Sequence, residues 1–363
     1  MNSNKRILVI NTNKFDRNGM STVVMNYYEY MDRTGITFDF VSNEYMDPEF
    51  KSYILNHGDR VFLFKNRKSN PIAYVWKLRR IIANNNYDVI HIHGNSSTVA
   101  AEISAIKLSH CKSKIVLHAH GVTTNHPVIH RILVKYVNKN IDIALAASKS
   151  AGNFLFKNFN KFEVVKNGID IDKFKFNLND RKIIRGRLGL KEDEKLLLHV
   201  GAFNGAKNQT LLVKMFQELT KVDSKYKLVF IGDGGLRHKV ELKVNKMGLQ
   251  HRILFLGEIN DVEKFYSAAD VFLFPSKYEP FGIVALEAQA NGLPCLVSTK
   301  LPMTVKLTNN IKFLPIYESD IKKWIDSIND AHRITNINVS NWNHKGYNIR
   351  SVAKKIKEIY LNA

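Results

Sequence analysis

The sequence is poor in cysteine, in proline and in acidic residues, and each shortage narrows what the protein can be. The two cysteines among 363 residues, Cys111 and Cys295, lie far apart and predict no disulfide framework, so a reducing cytoplasm is the expected setting. Eight prolines and no low-complexity tract exclude a fibrous or disordered chain. No apolar run approaches the roughly 18 residues that a membrane-spanning helix needs. The N-terminus also lacks the apolar core of a signal peptide.

Acidic residues are scarce relative to basic ones. Lys and Arg outnumber Asp and Glu by 54 to 33, which gives a formal net charge of +21, spread over both halves of the chain. Such a surplus favours nucleic acid, an anionic membrane surface or phosphorylated substrates as partners. No nucleic-acid-binding motif accompanies it, so we expect no nucleic acid. We expect a peripheral enzyme that uses anionic substrates on the inner face of the plasma membrane, with solubility alone as the alternative explanation.

Apolar, strand-like runs alternate with amphipathic, helix-like segments, and the alternation starts twice. The first series runs from Arg6 to Ala147 and the second from Lys195 to Pro315. Continuous Val, Ile and Leu runs between amphipathic segments predict parallel sheets with helices on both faces. The sequence therefore predicts an α/β fold with two doubly wound, Rossmann-like domains at 1–170 and 171–340, followed by a helical segment at 341–363. The join is predicted as a polar segment between Lys166 and about Leu190.

The most informative motif is Glu279-Pro-Phe-Gly-Ile-Val-Ala-Leu-Glu287. An apolar run that predicts a buried strand precedes it, and Gly292 ends the helix predicted to begin within it. Free amides at the start of that helix would suit a phosphate. The two carboxylates could accept hydrogen bonds from hydroxyl groups on either side. A nucleotide sugar, in which a diphosphate joins two polyhydroxylated rings, fits this arrangement.

The E-x7-E spacing, the Pro-Phe-Gly inside it and the Glu-Ala-Gln-Ala-Asn-Gly-Leu-Pro that follows resemble the retaining glycosyltransferases of family 4, the group 1 enzymes of capsular and exopolysaccharide synthesis. The resemblance covers essentially the full chain and is strongest from Glu194 to Ser298. It implies the GT-B fold, with two domains facing across a cleft and a last helix that crosses back to the N-terminal domain. It also implies metal-independent transfer, without a cofactor, of a hexose from a nucleotide sugar, taken as UDP-linked. The implied acceptor is a glycan or a polyprenyl-diphosphate-linked sugar.

The resemblance also implies roles for single residues. Lys207 would stabilise the departing diphosphate, Glu279 would hold the hydroxyls of the sugar and Glu287 those of the ribose. In this retaining family the donor phosphate itself assists the acceptor. The implied catalytic residues are His120, Lys207 and Glu279. The implied donor-binding residues are Gly19, Gly201, Asn208, Gly232, Gly282, Ile283, Val284 and Glu287.

The sequence departs from the family pattern immediately after Gly201, where Ala202 stands in place of the usual Arg. One cation of a pair is therefore missing. Weaker donor binding, replacement by another basic residue and impaired activity all remain open. At Gly232, within Ile231-Gly-Asp-Gly-Gly235, a simple tight turn is the alternative to ligand approach.

Four histidines lie at the ends of two successive strands of the first predicted domain. By its position in His118-Ala-His120-Gly121, His120 is the residue expected to contact the donor sugar, with His118 as the alternative. His91 and His93 alternate with apolar residues and are expected on opposite faces of their strand; His93 is also a candidate for the acceptor side. A metal site is not expected, because the histidine spacings match no common zinc pattern.

Two further segments allow two interpretations each. Asp170-Ile-Asp172 resembles the metal-binding Asp-x-Asp of the other main glycosyltransferase fold, but its position in the join favours a structural role. The segment Ala73–Ile82 mixes aromatic and basic residues. It predicts either a contact with anionic lipid headgroups or a core-facing helix with a basic outer surface.

Other functions remain as alternatives. A phosphorylase or a nucleotide-sugar epimerase could use the same fold, although no motif for pyridoxal phosphate is present. A non-catalytic nucleotide-sugar-binding partner subunit is favoured by Ala202. An NAD-dependent oxidoreductase would need Gly-x-Gly-x-x-Gly after the first strand, and Asn11–Ser21 contains none.

Overall fold

The computed structural model describes residues 4–65, 67–157, 161–279, 281–334, 337 and 340–363. Pro280 of the E-x7-E motif lies outside the described residues. The chain forms two compact units, one comprising Met1–Gly168 with Gly346–Ala363 and the other Ile169–Lys345. The predicted limits, at 170 and 340, lie near these boundaries.

The first unit alternates strands and helices from its N-terminus. Its elements up to the second unit are β1 (Lys5–Asn11), α1 (Gly19–Tyr30), β2 (Ile36–Asn43), α2 (Pro48–Asn56), β3 (Arg60–Phe64), α3 (Pro71–Ala83), β4 (Val89–Gly94), a 3₁₀ turn (Ser97–Val99), α4 (Ala100–Leu108), β5 (Lys114–Ala119), α5 (Pro127–Lys139), β6 (Ile143–Ala146), α6 (Lys149–Leu155) and β7 (Glu163–Val164). Among the described residues these strands form one seven-stranded parallel sheet in the order β3-β2-β1-β4-β5-β6-β7.

The second unit repeats the pattern. Its elements, and the helix that follows it, are α7 (Leu178–Arg187), β8 (Lys195–Val200), α8 (Gln209–Val222), β9 (Tyr226–Ile231), α9 (Arg237–Lys246), β10 (Ile253–Phe255), α10 (Val262–Ala268), β11 (Val271–Phe274), α11 (Ile283–Ala290), β12 (Cys295–Ser298), a 3₁₀ turn (Met303–Val305), β13 (Ile311–Leu314), a 3₁₀ turn (Glu318–Asp320), α12 (Ile321–Asn329), α13 (Ser340–His344) and α14 (Ile349–Asn362). In the described part of this unit the sheet has six parallel strands in the order β10-β9-β8-β11-β12-β13.

Local signals explain where several helices begin. Pro48, Pro71 and Pro127 are each the first residue of a helix, where the missing N–H costs nothing and the fixed φ suits the turn. The side chain of Asn18 accepts hydrogen bonds from two amides in the first turn of α1, which satisfies donors that the helix cannot. The resulting helices cover both faces of each sheet. The predicted fold class, two doubly wound α/β domains, is confirmed.

The polar join contains a helix that the sequence analysis did not predict. Arg181 and Arg185 of α7 both pair with Asp270, which precedes β11. Arg181 also donates to the carbonyl oxygens of Ala268 and Ala269 at 2.8 and 3.0 Å. These carbonyls lie at the end of α10, where they lack partners within the helix. The arginines therefore have structural partners, which explains why an apparently solvated segment is rich in charge.

The last helix, α14, belongs to the first unit and packs on α1. Ile356 is fully buried, and the Tyr360 hydroxyl lies 2.6 Å from Nδ1 of His91. Lys357 pairs with Asp32 at 2.8 Å. The amphipathic pattern of the C-terminal segment thus reflects a helix with one buried face. None of the helices in the described ranges is both long enough and apolar enough to cross a membrane.

Candidate functional site

In the second unit, two loops meet where the strand order reverses. Lys207 lies in the loop after β8 and Glu279 in the loop after β11, and these two strands are neighbours from which the sheet winds in opposite directions. In open α/β sheets, ligands bind outside the carboxyl ends of the strands at such a switch point. The topology therefore brings together two residues that are far apart in the sequence.

Lys207 and Glu279 form a direct ion pair through Nζ and Oε2. Their side chains retain 20% and 10% of their exposure, so the pair is largely shielded from water. The ammonium lies 4.8 Å from the ring centroid of Phe274, which adds a cation–π contact. Asn208 joins the two loops by donating from Nδ2 to the carbonyl oxygen of Pro275 at 3.2 Å.

The second oxygen of Glu279 contacts the start of α11. Its Oε1 accepts a hydrogen bond from the amide of Gly282 at 3.1 Å and a longer one from Phe281 at 3.4 Å. Gly282 adopts φ 65°, a left-handed conformation that glycine tolerates best. The amides of Ile283 and Val284 belong to the first turn, where the helix provides no acceptor. The Glu279 carboxylate therefore pairs with the Lys207 ammonium and accepts a hydrogen bond at the start of α11. These are the same groups that would bind an anionic ligand.

Glu287 lies one turn further along α11. Burial raises the pKa of its carboxyl to about 7, although the Tyr266 hydroxyl, which donates to Oε2 at 2.8 Å, opposes this shift. Tyr266 is itself fully buried. The sequence analysis missed Tyr266, and its position before the motif carries no recognisable signal. The two carboxylates of the E-x7-E motif thus differ: Glu279 is ion-paired, whereas Glu287 is held by a neutral hydroxyl.

The candidate glycines differ in whether packing alone requires a glycine at their position. At Gly232, φ is 125° and an added Cβ would lie 2.5 Å from the carbonyl oxygen of Gly201, so the two loops can approach only because glycine is present. This packing requires Gly232 whether or not a ligand binds. In the first unit, a Cβ at Gly19 would meet nothing within 4 Å, so the fold places no steric demand on that position. Their donor-binding roles stay predictions.

The first unit has a comparable switch point between β1 and β4. Asn11 of β1 pairs in register with His93 of β4, which in turn pairs with His118 of β5. Gly19 begins α1 after the β1 loop. The predicted histidines therefore lie in or just after strands that end at the same edge of the first sheet, and Gly19 follows another strand of that edge.

His91 and His93 lie on the same face of β4, with ring centroids 4.1 Å apart. The expectation of opposite faces was wrong, because residues two apart along a strand share a face. Ile90 and Ile92 occupy the other face and pack into the core. His118 of β5 and His120, one residue beyond that strand, repeat this arrangement with ring centroids 4.2 Å apart. The four imidazoles form one cluster.

One hydrogen bond links two members of this histidine cluster, His93 and His120. Nε2 of His120 lies 2.8 Å from Nδ1 of His93, while Nδ1 of His120 has no hydrogen-bond partner among the described residues. Burial lowers the pKa of all four imidazoles, to about 3 for His118 and well below the ordinary value for the others. At neutral pH they are therefore uncharged, and His120 can act on a ligand by hydrogen bonding but not as a cation. His93, the candidate for the acceptor side, holds the His120 ring through this hydrogen bond.

Two candidate metal-binding patterns have different geometries. The ligand nitrogens of His91, His93 and His118 all lie within 4.8 Å of one another, a proximity that sequence spacing did not show because it arises from neighbouring strands. That no metal is required stays a prediction. In the Asp-x-Asp segment, Asp170 accepts hydrogen bonds from the amides of Asp172 and Lys173 and so closes its own turn.

Comparisons with known proteins agree with the fold. Residues 17–173 match the family model described as Glycosyltransferase Family 4, and residues 180–349 match Glycosyl transferases group 1. Two Rossmann-like domains with these matches define the class of protein as a glycosyltransferase with the GT-B fold. The chain belongs, within that class, with the group 1 glycosyltransferases.

Relatives match along most of the chain. The putative glycosyltransferase EpsF of Bacillus subtilis is 27% identical over 90% of this chain and 88% of its own length. An Escherichia coli relative, named UDP-Gal:alpha-D-GlcNAc-diphosphoundecaprenol alpha-1,3-galactosyltransferase, is 26% identical over 95% and 94%. The crystal structure of Anabaena HepE in complex with UDP superimposes with a TM-score of 0.71 at 19% identity, covering 98% of this chain and 95% of that one.

Proposed function

We propose that this enzyme transfers a hexose from a UDP-linked sugar to a glycan or polyprenyl-diphosphate-linked acceptor in surface polysaccharide synthesis, with retention at the anomeric carbon. The observation that carries the proposal is the convergence of Lys207 and the start of α11 on one carboxylate. A cation and helix amides together form an anion-binding site. The donor diphosphate would displace the Glu279 carboxylate and take its partners.

The relatives support the choice of donor and acceptor. The E. coli relative is named for a UDP-linked donor and a lipid-diphosphate acceptor, and the HepE structure is a complex with UDP. We extend both features to this chain. Because a polyprenyl carrier is embedded in the bilayer, we place the reaction at the inner face of the plasma membrane, with the enzyme itself cytoplasmic and peripheral.

The residues of the site suit this transfer. The bond between the anomeric carbon and the β-phosphate oxygen breaks, a bond to the acceptor hydroxyl oxygen forms, and the hydroxyl proton passes to the departing diphosphate. Lys207 and the amides of Gly282, Ile283 and Val284 stabilise the charge that develops on the diphosphate. Once displaced, Glu279 accepts hydrogen bonds from the sugar. These groups supply the positive field, so the proposed reaction needs no metal.

The remaining residues orient the donor. Glu287 accepts hydrogen bonds from the ribose, and the Tyr266 hydroxyl fixes its carboxylate. The neutral His120 imidazole bonds a hydroxyl of the sugar, with His93 fixing its ring. Because Gly201, Gly232 and Gly19 have no side chains, their loops can lie close to the donor.

Thermal unfolding with a panel of nucleotides tests donor binding. UDP at about 100 times its Kd should stabilise the folded protein by about 2.7 kcal/mol and raise Tm by several degrees. Glu287→Ala should abolish this shift, because the ribose loses its acceptor. Glu218→Ala, at a carboxylate paired with Lys221 on the surface, is the control and should retain the shift. An unchanged UDP shift in Glu287→Ala would remove that residue from the pocket.

A second candidate function is a non-catalytic nucleotide-sugar-binding partner subunit. Ala202, which lacks the usual cation, is the observation that favours it. The two functions differ in chemistry: the enzyme releases UDP and forms a glycosylated product only when a lipid-linked acceptor is added. Binding of UDP without such release, across donors and acceptors, would favour the partner subunit.

Restoring the missing cation should tighten donor binding. Ala202 is exposed, so Ala202→Arg can be accommodated without repacking. A charge-assisted hydrogen bond to the diphosphate contributes about 1.5–3 kcal/mol, which corresponds to a decrease in the Kd for UDP of roughly ten-fold or more. Isothermal titration measures this change. Ala202→Gln, which adds length without charge, is the control, and equal effects of the two variants would contradict the charge argument.

A further inference from the structure

One surface of the first unit exposes large apolar side chains that the proposed chemistry does not use. It is formed by α3, α4 and α5, and we call it the α3–α5 surface. Ile72 and Trp76 of α3 are 72% and 54% exposed, and Val128 and Ile132 of α5 are 70% and 69% exposed. Exposed apolar side chains that cluster on the surface of a globular protein mark an interaction site.

A groove runs between these helices. It has a volume of about 610 Å³, and its lining includes Ile72, Val75, Trp76, Leu108, Leu133 and Tyr136. Trp76 and Tyr136 carry both an apolar ring and a polar group, the combination that favours the boundary between hydrocarbon and water. The inner faces of the helices already pack on the sheet, through residues such as Tyr74 and Leu78. The groove is therefore additional to the core.

The charges of the same helices have one sign. The structure describes every residue of α3, α4 and α5, and Glu102 is the single carboxylate among them. Glu102 is fully buried and pairs with Arg67, so it adds no negative charge to the surface. Six exposed cations lie on the same helices: Lys77, Arg80, Lys107, Arg131, Lys135 and Lys139. A second copy of this surface would be repelled by like charge. A flat, anionic and apolar partner matches both features.

We propose that the α3–α5 surface docks the protein on a bilayer containing anionic phospholipids. The apolar side chains enter the boundary between headgroups and acyl chains, and the cations bind the headgroup phosphates. This resolves the two interpretations of Ala73–Ile82: the helix packs on the core with one face and meets lipid with the other. The inference rests on the proposed function in that a lipid-linked acceptor requires such a contact.

Trp76 provides a built-in reporter. Trp324 and Trp342 are fully buried, whereas Trp76 is half exposed. Phosphatidylglycerol vesicles at low salt should shift the tryptophan emission to shorter wavelengths, and phosphatidylcholine vesicles should not. Trp76→Phe should remove the shift while vesicle cosedimentation persists. No binding to phosphatidylglycerol vesicles at low salt would overturn the proposal.

Paired variants locate the contact. Ile72→Glu combined with Ile132→Glu should reduce partition onto phosphatidylglycerol vesicles at least ten-fold. Val222→Glu, at a residue 75% exposed in the second unit, is the matched control and should bind as the unmodified chain does. Equal binding of the double variant and the unmodified chain to the vesicles would overturn the proposal. If the unmodified chain were a dimer in the absence of vesicles and the double variant a monomer, the groove would belong to a second copy, which would also overturn it. A retained UDP-induced rise in Tm shows that the variants are folded and separates a failure of docking from a failure of donor binding.

Discussion

Lys207→Ala is expected to lower kcat/KM by roughly 10²- to 10³-fold. The proposed transition state gains negative charge on the departing diphosphate, and removing one preorganised donor from such a site typically costs about 2.7–4 kcal/mol. Lys207 is suited to this role because Phe274 and the loop fixed by Asn208 hold its ammonium at the switch point. The rate of UDP release in the presence of acceptor measures the loss.

The matched control for Lys207 is Lys221→Ala, which removes an exposed lysine whose partner is Glu218. Its activity should equal that of the unmodified enzyme. Comparable Tm values for the two variants would show that the Lys207 effect is not one of folding. A Lys207→Ala enzyme with more than a third of normal kcat/KM would contradict the assignment of this lysine to the diphosphate.

Acidification from pH 7.5 to 5.5 is expected to destabilise the protein steeply. The four clustered histidines have pKa values well below 6.5 in the folded state, so the unfolded chain binds more protons once the pH falls below that value. Their stabilising contribution is complete above pH 6.5 and is lost as the pH falls toward the folded-state pKa values. Each group contributes a slope of up to about 1.4 kcal/mol per pH unit, so four groups contribute up to about 5.5 kcal/mol per pH unit.

Other buried groups also affect the sign of this change in stability. Burial lowers the pKa of His199 to about 4, which adds to the acid sensitivity. Glu287 acts in the opposite direction, because its raised pKa of about 7 lets the folded state bind a proton first. One opposing group does not cancel four or five. The net expectation is a loss of stability on acidification.

Urea unfolding at a series of pH values measures this slope. His118→Phe should reduce it, because one titrating group leaves the cluster while a ring of similar shape remains. His251→Gln, at an exposed histidine, should leave the slope unchanged. A free energy of unfolding that stays constant between pH 7.5 and 5.5 would show that the cluster is not held neutral by burial.

Much of the fold followed from local patterns. Alternating apolar and amphipathic segments are sufficient to predict parallel sheets, because a strand buried on both faces needs a continuous apolar run. The α7 helix escaped prediction for the opposite reason. Its composition is polar, and it is held in place because Arg181 donates to carbonyl oxygens that are distant in sequence.

The arrangement of the predicted site residues followed from the sequence in part, and their roles stay predictions. The E-x7-E motif placed Glu279 and Glu287 on either side of one helix start, because local sequence encodes that relation. The pairing of Glu279 with Lys207 could not be predicted, since it depends on which strands are neighbours. The same holds for Tyr266 beside Glu287 and for the contact between His93 and His120. The error over His91 and His93 was avoidable, because strand periodicity alone places both on one face.

A crystal structure with bound UDP tests the central claim most directly. The account predicts that the diphosphate lies within roughly 3 Å of Lys207 Nζ and of the amides at the start of α11, with the Glu279 carboxylate moved away from both. The ribose hydroxyls should meet Glu287. A complex in which UDP binds elsewhere while the Lys207–Glu279 pair stays intact would contradict the account.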